Sequence, residues 1–241
     1  MKNQQKIKRL NFLFLILFLF STSLLSLQTL KKVNVKDIRI YGSELFSKND
    51  LINNSSLRFP TRLIFIKTKY LEEELKQNLS LKNISITRQI FPFGLNIQIK
   101  TRTPIAFGKK FLNDKKILGY IDKDGFFINT KNADKKYLNK LTIEVSGWKN
   151  KFKETLSVIL TSQENYEFEF LKITFSTNGF LTVYEKELKT ILLGFNPNLI
   201  KSQLQTISNL KNEFKRINFS EKIDTIDLRD PNKPKIKVFK P

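Results

Sequence analysis

The chain contains no cysteine and no histidine. That removes thiol nucleophiles, disulfides, structural zinc, a Ser-His-Asp triad and any imidazole acid or base. Only Asp, Glu, Lys and Tyr remain for proton transfer, so most hydrolytic and metal-dependent chemistries lose their usual parts. The eight glycines are scattered and form no phosphate-cradling loop. Acidic residues are also scarce, 22 against 43 basic ones, for a net charge of +21. The basic residues are 35 Lys and only 8 Arg, a poor supply of the planar forks that phosphate and nucleic-acid sites use. This composition favours a non-catalytic protein. What the chain does have is 241 residues, 40% of them apolar and 12% aromatic. That is enough to build a buried core rather than a disordered tail. Its Lys residues are spread along the whole length. They make either a solvated basic surface or an attraction for an anionic partner, polymer or membrane face.

The N-terminus indicates a compartment. Lys2, Lys6, Lys8 and Arg9 precede an uncharged stretch from Leu10 to Leu30, and Lys31 and Lys32 follow at once. As helix, those 21 residues are about 31 Å long at ~1.5 Å per residue, enough to cross a bilayer core. A cleaved signal would be shorter and end in small residues, whereas the first Ala of the chain is Ala106. The sequence therefore predicts a cytoplasmic tail over 1–9, an uncleaved transmembrane signal anchor over 10–30, and everything beyond outside the plasma membrane. Beyond the span stand 39 basic and 22 acidic residues. Nucleic acid is not an expected partner there.

Two folded regions are expected next. From Val33 the alternation through Ile38 and Ile40, stopped by Gly42, predicts a strand. Ser47 three residues before Asp50 has the spacing of a capping box, and opens a short helix carrying Leu51 and Ile52. Thr68 is placed as the cap of a second helix, with Leu71, Leu75 and Leu79 on one face and Glu72, Glu73 and Glu74 near its N-terminal end. Ile84 and Ile86, then Leu95, Ile97 and Ile99, alternate on either side of Phe91-Pro92-Phe93-Gly94 as a hairpin. The order β-α-α-β-β gives two helices on one face of a small sheet, over residues 33–103.

Residues 104–241 predict a mostly antiparallel β-domain with helices, so the whole is α+β. Asp124-Gly125 and Asn178-Gly179 are hairpin turn signals, the second joining Leu171-x-Ile173-x-Phe175 to Phe180-x-Thr182-x-Tyr184. Phe152, Leu156, Ile159 and Leu160 have helical spacing. A longer helix is capped by Asn196, with Pro197 in its first turn and Ile200, Leu204, Ile207, Leu210 and Phe214 on one face. Ile226 to Arg229 and Lys235 to Phe239 close the chain around Pro231 and Pro234. The junction between the two regions is expected near Pro104, with no flexible tether.

An ordered set of residues resembles the FtsQ/DivIB family of bacterial division proteins. It comprises Ile38 to Gly42, Tyr70-Leu71 with Leu75, Ile84-x-Ile86-x-Arg88, Phe91-Pro92, Leu95-x-Ile97-x-Ile99 and Arg102-Thr103-Pro104-Ile105-Ala106. It continues through Ile121 to Phe127, Leu193-Gly194 and Ile226-Asp227-Leu228-Arg229. The resemblance implies that the first exported region is a POTRA domain. Thr101 stands where the family has an acidic residue, so no salt bridge from that position is expected. The resemblance further implies a scaffold binding FtsB–FtsL-type division proteins at the septum, the FtsB segment adding a strand to the C-terminal sheet edge. The matching positions are Ile226, Asp227, Leu228, Arg229, Lys235, Ile236, Lys237, Val238 and Phe239. A second, weaker contact is placed on the first region, at Ile38, Arg39, Ile40 and Tyr41.

Three patterns invite a chemical reading. Asp122 and Asp124 with Gly125 have the start of a calcium loop, but the Gly comes too early and the distal Glu is missing, so a hairpin turn is expected. Glu167 and Glu169 flank Phe168 like a glycosidase carboxylate pair; an exposed strand face explains them better. Trp148 is either a saccharide platform or a boundary aromatic. No catalytic residue, metal, cofactor or small-molecule substrate is expected. Two alternatives to the scaffold remain: a membrane-anchored binder of an anionic cell-wall polymer, and a carboxylate-based wall hydrolase.

Overall fold

The computed structural model describes residues 12–20, 22, 30–112, 115–217 and 223–239. The expected tail 1–9 and much of the expected span 10–30 lie outside the described residues; within the span, residues 12–20 are helical. No helix among the described residues is long and apolar enough to cross a membrane. The chain divides into two compact units, Met1–Thr101 and Arg102–Pro241.

In the first unit the strands are β1 (Lys32–Val33), β2 (Ile38–Tyr41), β3 (Thr61–Arg62), β4 (Asn83–Gln89) and β5 (Gly94–Lys100). The helices are α1 (Lys48–Asn53) and α2 (Thr68–Asn78). β1 pairs with β3, and a separate sheet runs β2-β5-β4, with β2 parallel and β4 antiparallel to β5. The strand expected from Val33 onward is interrupted. Asp37 Oδ2 accepts from Asn34 N at 2.9 Å and closes a 3-10 turn over Val35–Asp37, so the alternation takes hold only at Ile38. The Ser47–Asp50 box forms in both directions, at 3.2 and 2.8 Å. Thr68, expected as a cap, is instead the first residue of α2, and Lys67 before it makes no side-chain cap bond.

Leu71, Leu75 and Leu79 pack with Ile84, Ile86, Ile97 and Ile99 in one core. The acidic residues of α2 do more than face its dipole: Glu72 accepts from Ile86 N at 2.7 Å, and Glu74 accepts from Ser56 N and Oγ at 2.8 Å. They tie the helix to β4 and to the preceding loop. Gly42 has φ +85°, and a Cβ there would meet Ile99 O at 2.4 Å, so the residue that stops β2 has to be glycine.

The second unit contains β6 (Pro104–Leu112), β7 (Lys115–Asp122), β8 (Phe127–Asn129), β9 (Ile143–Ser146), α3 (Lys153–Tyr166), β10 (Phe170–Phe175) and β11 (Leu181–Glu185). These are followed by β12 (Lys189–Gly194), α4 (Ile200–Arg216), β13 (Ile223–Asp227) and β14 (Lys235–Val238). Among the described residues they form a nine-stranded sheet in the order β14-β13-β12-β11-β10-β9-β6-β7-β8. Most joins are antiparallel; β6–β9, β9–β10 and β12–β13 are parallel. α3 and α4 are the crossovers between β9 and β10 and between β12 and β13, because parallel neighbours cannot be joined by a tight turn. Both helices bury Leu156, Ile159, Leu160, Leu204 and Ile207 in a core shared with the sheet. The molecule is thus a mixed α+β protein.

The second hairpin differs in phase from the sequence reading. Thr182 and Tyr184 lie on the more open face of β11, with Phe180 just before it half-buried, and Leu181, Val183 and Glu185 are the buried set. A bulge between Phe170 and Lys172 in β10 lets Phe170 and Ile173 both reach the core and leaves Leu171 exposed. Asn196 accepts from Asn198 N at 3.0 Å and Pro197 opens a 3-10 turn that leads into α4.

Candidate functional site: the open edge of the large sheet

The large sheet ends in β12, β13 and β14, and the site is built from how they are held. β12 and β13 are parallel, and Leu228 N donates to Leu192 O at 2.9 Å where they finish. Gln203, fully buried on α4, donates through Nε2 to Leu193 O and Leu228 O, both at 2.7 Å. This side chain closes two carbonyls at the strand ends and fixes the helix on them. Ile223, Ile226 and Leu228 are each 0% exposed. Of the expected partner-facing residues, Ile226 and Leu228 therefore serve the core, and their side chains do not reach the surface.

Asp227 and Arg229 lie outside and bind each other. Arg229 Nε and Nη2 form a fork on the two carboxylate oxygens at 2.9 and 2.6 Å, and Arg229 N adds a bond at 3.1 Å. The Arg229 bond, with Lys235 farther away, holds the Asp227 carboxyl below its ordinary value despite partial burial. The turn that follows is equally fixed. Asp230 accepts from Asn232 N at 3.0 Å, Lys233 N donates to Asp230 O at 3.2 Å, and Thr206 on α4 donates to Pro231 O at 3.3 Å.

β14 then returns antiparallel to β13, with Asp227 opposite Lys235, Ile226 opposite Ile236 and Ile223 opposite Val238. Cross-strand partners share a face. Ile236 and Val238 therefore continue the row of Ile226 and Ile223, yet they remain 40% and 41% exposed, and Phe239 is 57% exposed. Lys235 and Lys237 occupy the other face, Lys237 lying 3.3 Å from Asp224. Every residue of β14 is exposed, and among the described residues no strand neighbours its far side. Pro231 and Pro234 fall in the connection, so β14 itself carries N–H groups throughout. Such an edge can template another strand, with an apolar row on one face and a cationic row on the other.

The other expected positions are arranged differently. β2 is also an edge strand, but Ile38 is buried, Ile40 packs on the core, and Arg39 donates to Pro92 O and Phe93 O at 3.2 and 3.3 Å. Only Tyr41, 51% exposed, stands clear. Asp122 sits in a turn, accepting from Phe126 N at 2.8 Å, and its other oxygen pairs with buried Arg102. Arg102, which follows Thr101, lies 3.6 Å from the Phe126 ring centre. No metal-binding group of acidic residues occurs among the described residues. Glu167 is not in a strand: it ends α3 in a left-handed conformation, φ 54°, while Glu169 pairs with Lys186 at 2.7 Å. Trp148 donates to Gly125 O at 2.8 Å and tilts against Phe127, lining a cleft of about 650 Å³ with Phe111, Lys149 and Phe175.

Sequence reasoning missed a buried ion pair. Lys211 on α4 reaches Glu185 at 2.7 Å, both almost wholly buried, and also donates to Glu167 O at 3.1 Å. Glu185 accepts further from the N–H groups of Glu169, Glu187 and Leu188. Burial alone would raise its carboxyl, but the bonds from Lys211 and the backbone outweigh that and hold it below the ordinary value. The signal in the sequence is a lone Lys at a helical core position, Lys211, between Ile207 and Phe214.

With this geometry in place, two comparisons bear on identity. Residues 33–102 match the family model for the POTRA domain of the FtsQ type. The chain is also 27% identical over 95 residues to the cell division protein DivIB of Clostridium acetobutylicum. Over this part of its length the chain is similar to proteins of the FtsQ/DivIB family. The aligned stretch covers 39% of this chain and 36% of the relative, about a third of that protein's length. The matched POTRA domain contains β2, α1, α2, β4 and β5; the open edge at β14 lies in the second unit, beyond it.

Proposed function

We propose that this chain is a non-catalytic, single-pass scaffold of the bacterial division machinery. The segment Leu10–Leu30 anchors it in the plasma membrane, residues 1–9 stay in the cytoplasm, and the regions 33–103 and 104–241 stand outside at the septum. The FtsQ-type POTRA domain and the name of the relative support the division role. Length, apolarity and flanking Lys and Arg of the N-terminal segment support the anchor.

The observation that carries the partner reading is β14: an outermost strand, exposed along its whole length, with no proline and with separate apolar and cationic rows. An FtsB-type segment of an FtsB–FtsL pair adds to it as the next strand. Ile236, Val238 and Phe239 receive apolar side chains, and Lys235 and Lys237 favour acidic ones. Asp227 and Arg229 fix the turn that presents the edge, and Ile226 and Leu228 hold it from within. Ile38 to Tyr41 form a lesser contact, centred on Tyr41.

Proline scanning tests this. Neighbouring N–H groups in an antiparallel strand point to opposite sides, so of Lys237→Pro and Val238→Pro one removes a donor from the free edge. At least one of these variants, and deletion from Lys235 onward, abolishes capture of the FtsB–FtsL pair while the POTRA domain keeps its melting transition. Full affinity in both folded proline variants would reject strand addition. A fluorescently tagged copy is expected in a mid-cell ring; an even membrane signal throughout the cell cycle would reject the division role.

A further inference from the structure

The first unit exposes an apolar turn at a defined place in the chain. After β3, a 3-10 turn covers Leu63–Phe65, and Ile66 N closes it on Leu63 O at 3.3 Å. Leu63 and Ile66 are 2% and 3% exposed, so both ends are anchored in the core. Between them Ile64 and Phe65 project outward, 48% and 66% exposed. An exposed adjacent Ile-Phe pair held by buried flanks is not explained by the packing of the unit.

Its position relative to the N-terminal segment is fixed by hydrogen bonds. β3 pairs with β1 so that Arg62 lies opposite Lys32, and Leu63 N donates to Lys31 O at 3.3 Å. Lys31 directly follows Leu30, the last residue of the apolar segment. Phe65 is three Cα steps beyond Arg62, at most about 11 Å of chain at ~3.8 Å per step. The headgroup layer on each side of a bilayer is roughly 5–8 Å thick. A chain leaving the membrane at residue 30 therefore holds this turn within reach of the headgroups.

The flanking chemistry suits that level. Arg62 lies over the Phe65 ring with its guanidinium carbon 6.0 Å from the centre, and Arg88 comes within 3.5 Å of Ile64 O. Lys67 and Tyr70, close by in the chain, and Lys32, brought close by its pairing with Arg62, are exposed. An apolar tip collared by Arg, Lys and Tyr is the composition of an interfacial anchor, with cations at the phosphates and apolar groups just below.

We infer that the Ile64–Phe65 turn inserts into the outer lipid interface beside the chain's own span and fixes the POTRA domain on the membrane surface. This rests on the reading of Leu10–Leu30 as a span. Because the chain has no cysteine, single sites can be labelled cleanly. Leu19→Cys, Phe65→Cys and Gln77→Cys full-length proteins, each carrying an NBD fluorophore, are reconstituted into phosphatidylcholine–phosphatidylglycerol vesicles. The vesicles contain doxyl-labelled lipid in both leaflets. Gln77 is exposed at the far end of α2 and serves as the control.

The inference predicts that shallow doxyl lipid quenches the Phe65 site about twofold more than the Gln77 site, while deep doxyl lipid quenches the Leu19 site. Quenching at Leu19 with equal responses at Phe65 and Gln77 would overturn the inserted turn and leave the span standing. Absence of quenching at Leu19 would overturn the span and the inserted turn together.

Discussion

The three-stranded and nine-stranded sheets treat their edges in opposite ways. In the first unit β2 is secured by buried Ile38, packed Ile40 and the reach of Arg39 across the β4–β5 turn. Its other edge, β4, gives Ile86 N to the Glu72 carboxylate of α2. In the second unit, β8 at one end of the sheet is three residues long and buries Phe127 and Ile128. β14 at the other end buries none of its side chains. Of the four edges of these two larger sheets, three are blunted by short length, packing or a capping carboxylate and β14 is left open, as the proposed strand addition requires.

The largest expected effect lies in the core of the second unit, at β11. Lys211→Met leaves the Glu185 carboxylate buried without its cation and costs the second unit about 3–5 kcal/mol. Denaturant unfolding measures this, and the POTRA transition stays in place. Leu75→Ala does the converse: it removes the centre of the α2 face and costs the first unit about 2–5 kcal/mol. If each variant lowers only its own unit's transition, the contrast between a closed and an open sheet can be studied one unit at a time.

The acid response sharpens the same division. Glu185 has a carboxyl depressed below the ordinary value in the folded state, through Lys211 and backbone N–H groups that outweigh burial. Its contribution is therefore fully present above the ordinary carboxylate pKa of 4.5 and is lost as pH falls through the lower folded value. Melting followed from pH 6 to pH 2 should show the second unit losing stability below about pH 4.5. Lys211→Met should flatten that loss.

A smaller effect is expected at the blunted edge. Glu72→Ala frees Ile86 N and costs about 1 kcal/mol, with greater self-association at high protein concentration measured by sedimentation. The smallest is electrostatic: Lys235→Glu with Lys237→Glu weakens capture of an acidic partner strand mainly at low salt, and the difference shrinks as ionic strength rises.

What the sequence made legible was local. Ser47 with Asp50, Asn196 with Pro197, and Asn178-Gly179 each signal a cap or turn within a few residues, and all three form. The apolar face of α4 is likewise readable as spacing. The features that escaped depend on distant partners. The phase of β11 is set by its register on β10, with Phe175 opposite Leu181 and Ile173 opposite Val183, and Lys211 meets Glu185 across 26 residues. Gln203 reaches strand ends 10 and 25 residues away. At the candidate site, the polar residues of Ile226 to Arg229 were legible as a segment, but not that Asp227 and Arg229 occupy each other. The composition of β14 was readable; its exposure follows from the order of strands, which no local pattern encodes.

The most direct test is hydrogen exchange on the full-length chain with and without the FtsB–FtsL pair, read amide by amide in β14 and β2. Strand addition predicts that alternate amides of Lys235–Val238, those facing away from β13, become protected on binding, while Ile38–Tyr41 changes little. Protection confined to β2, or none at β14 under saturating partner, would contradict the account.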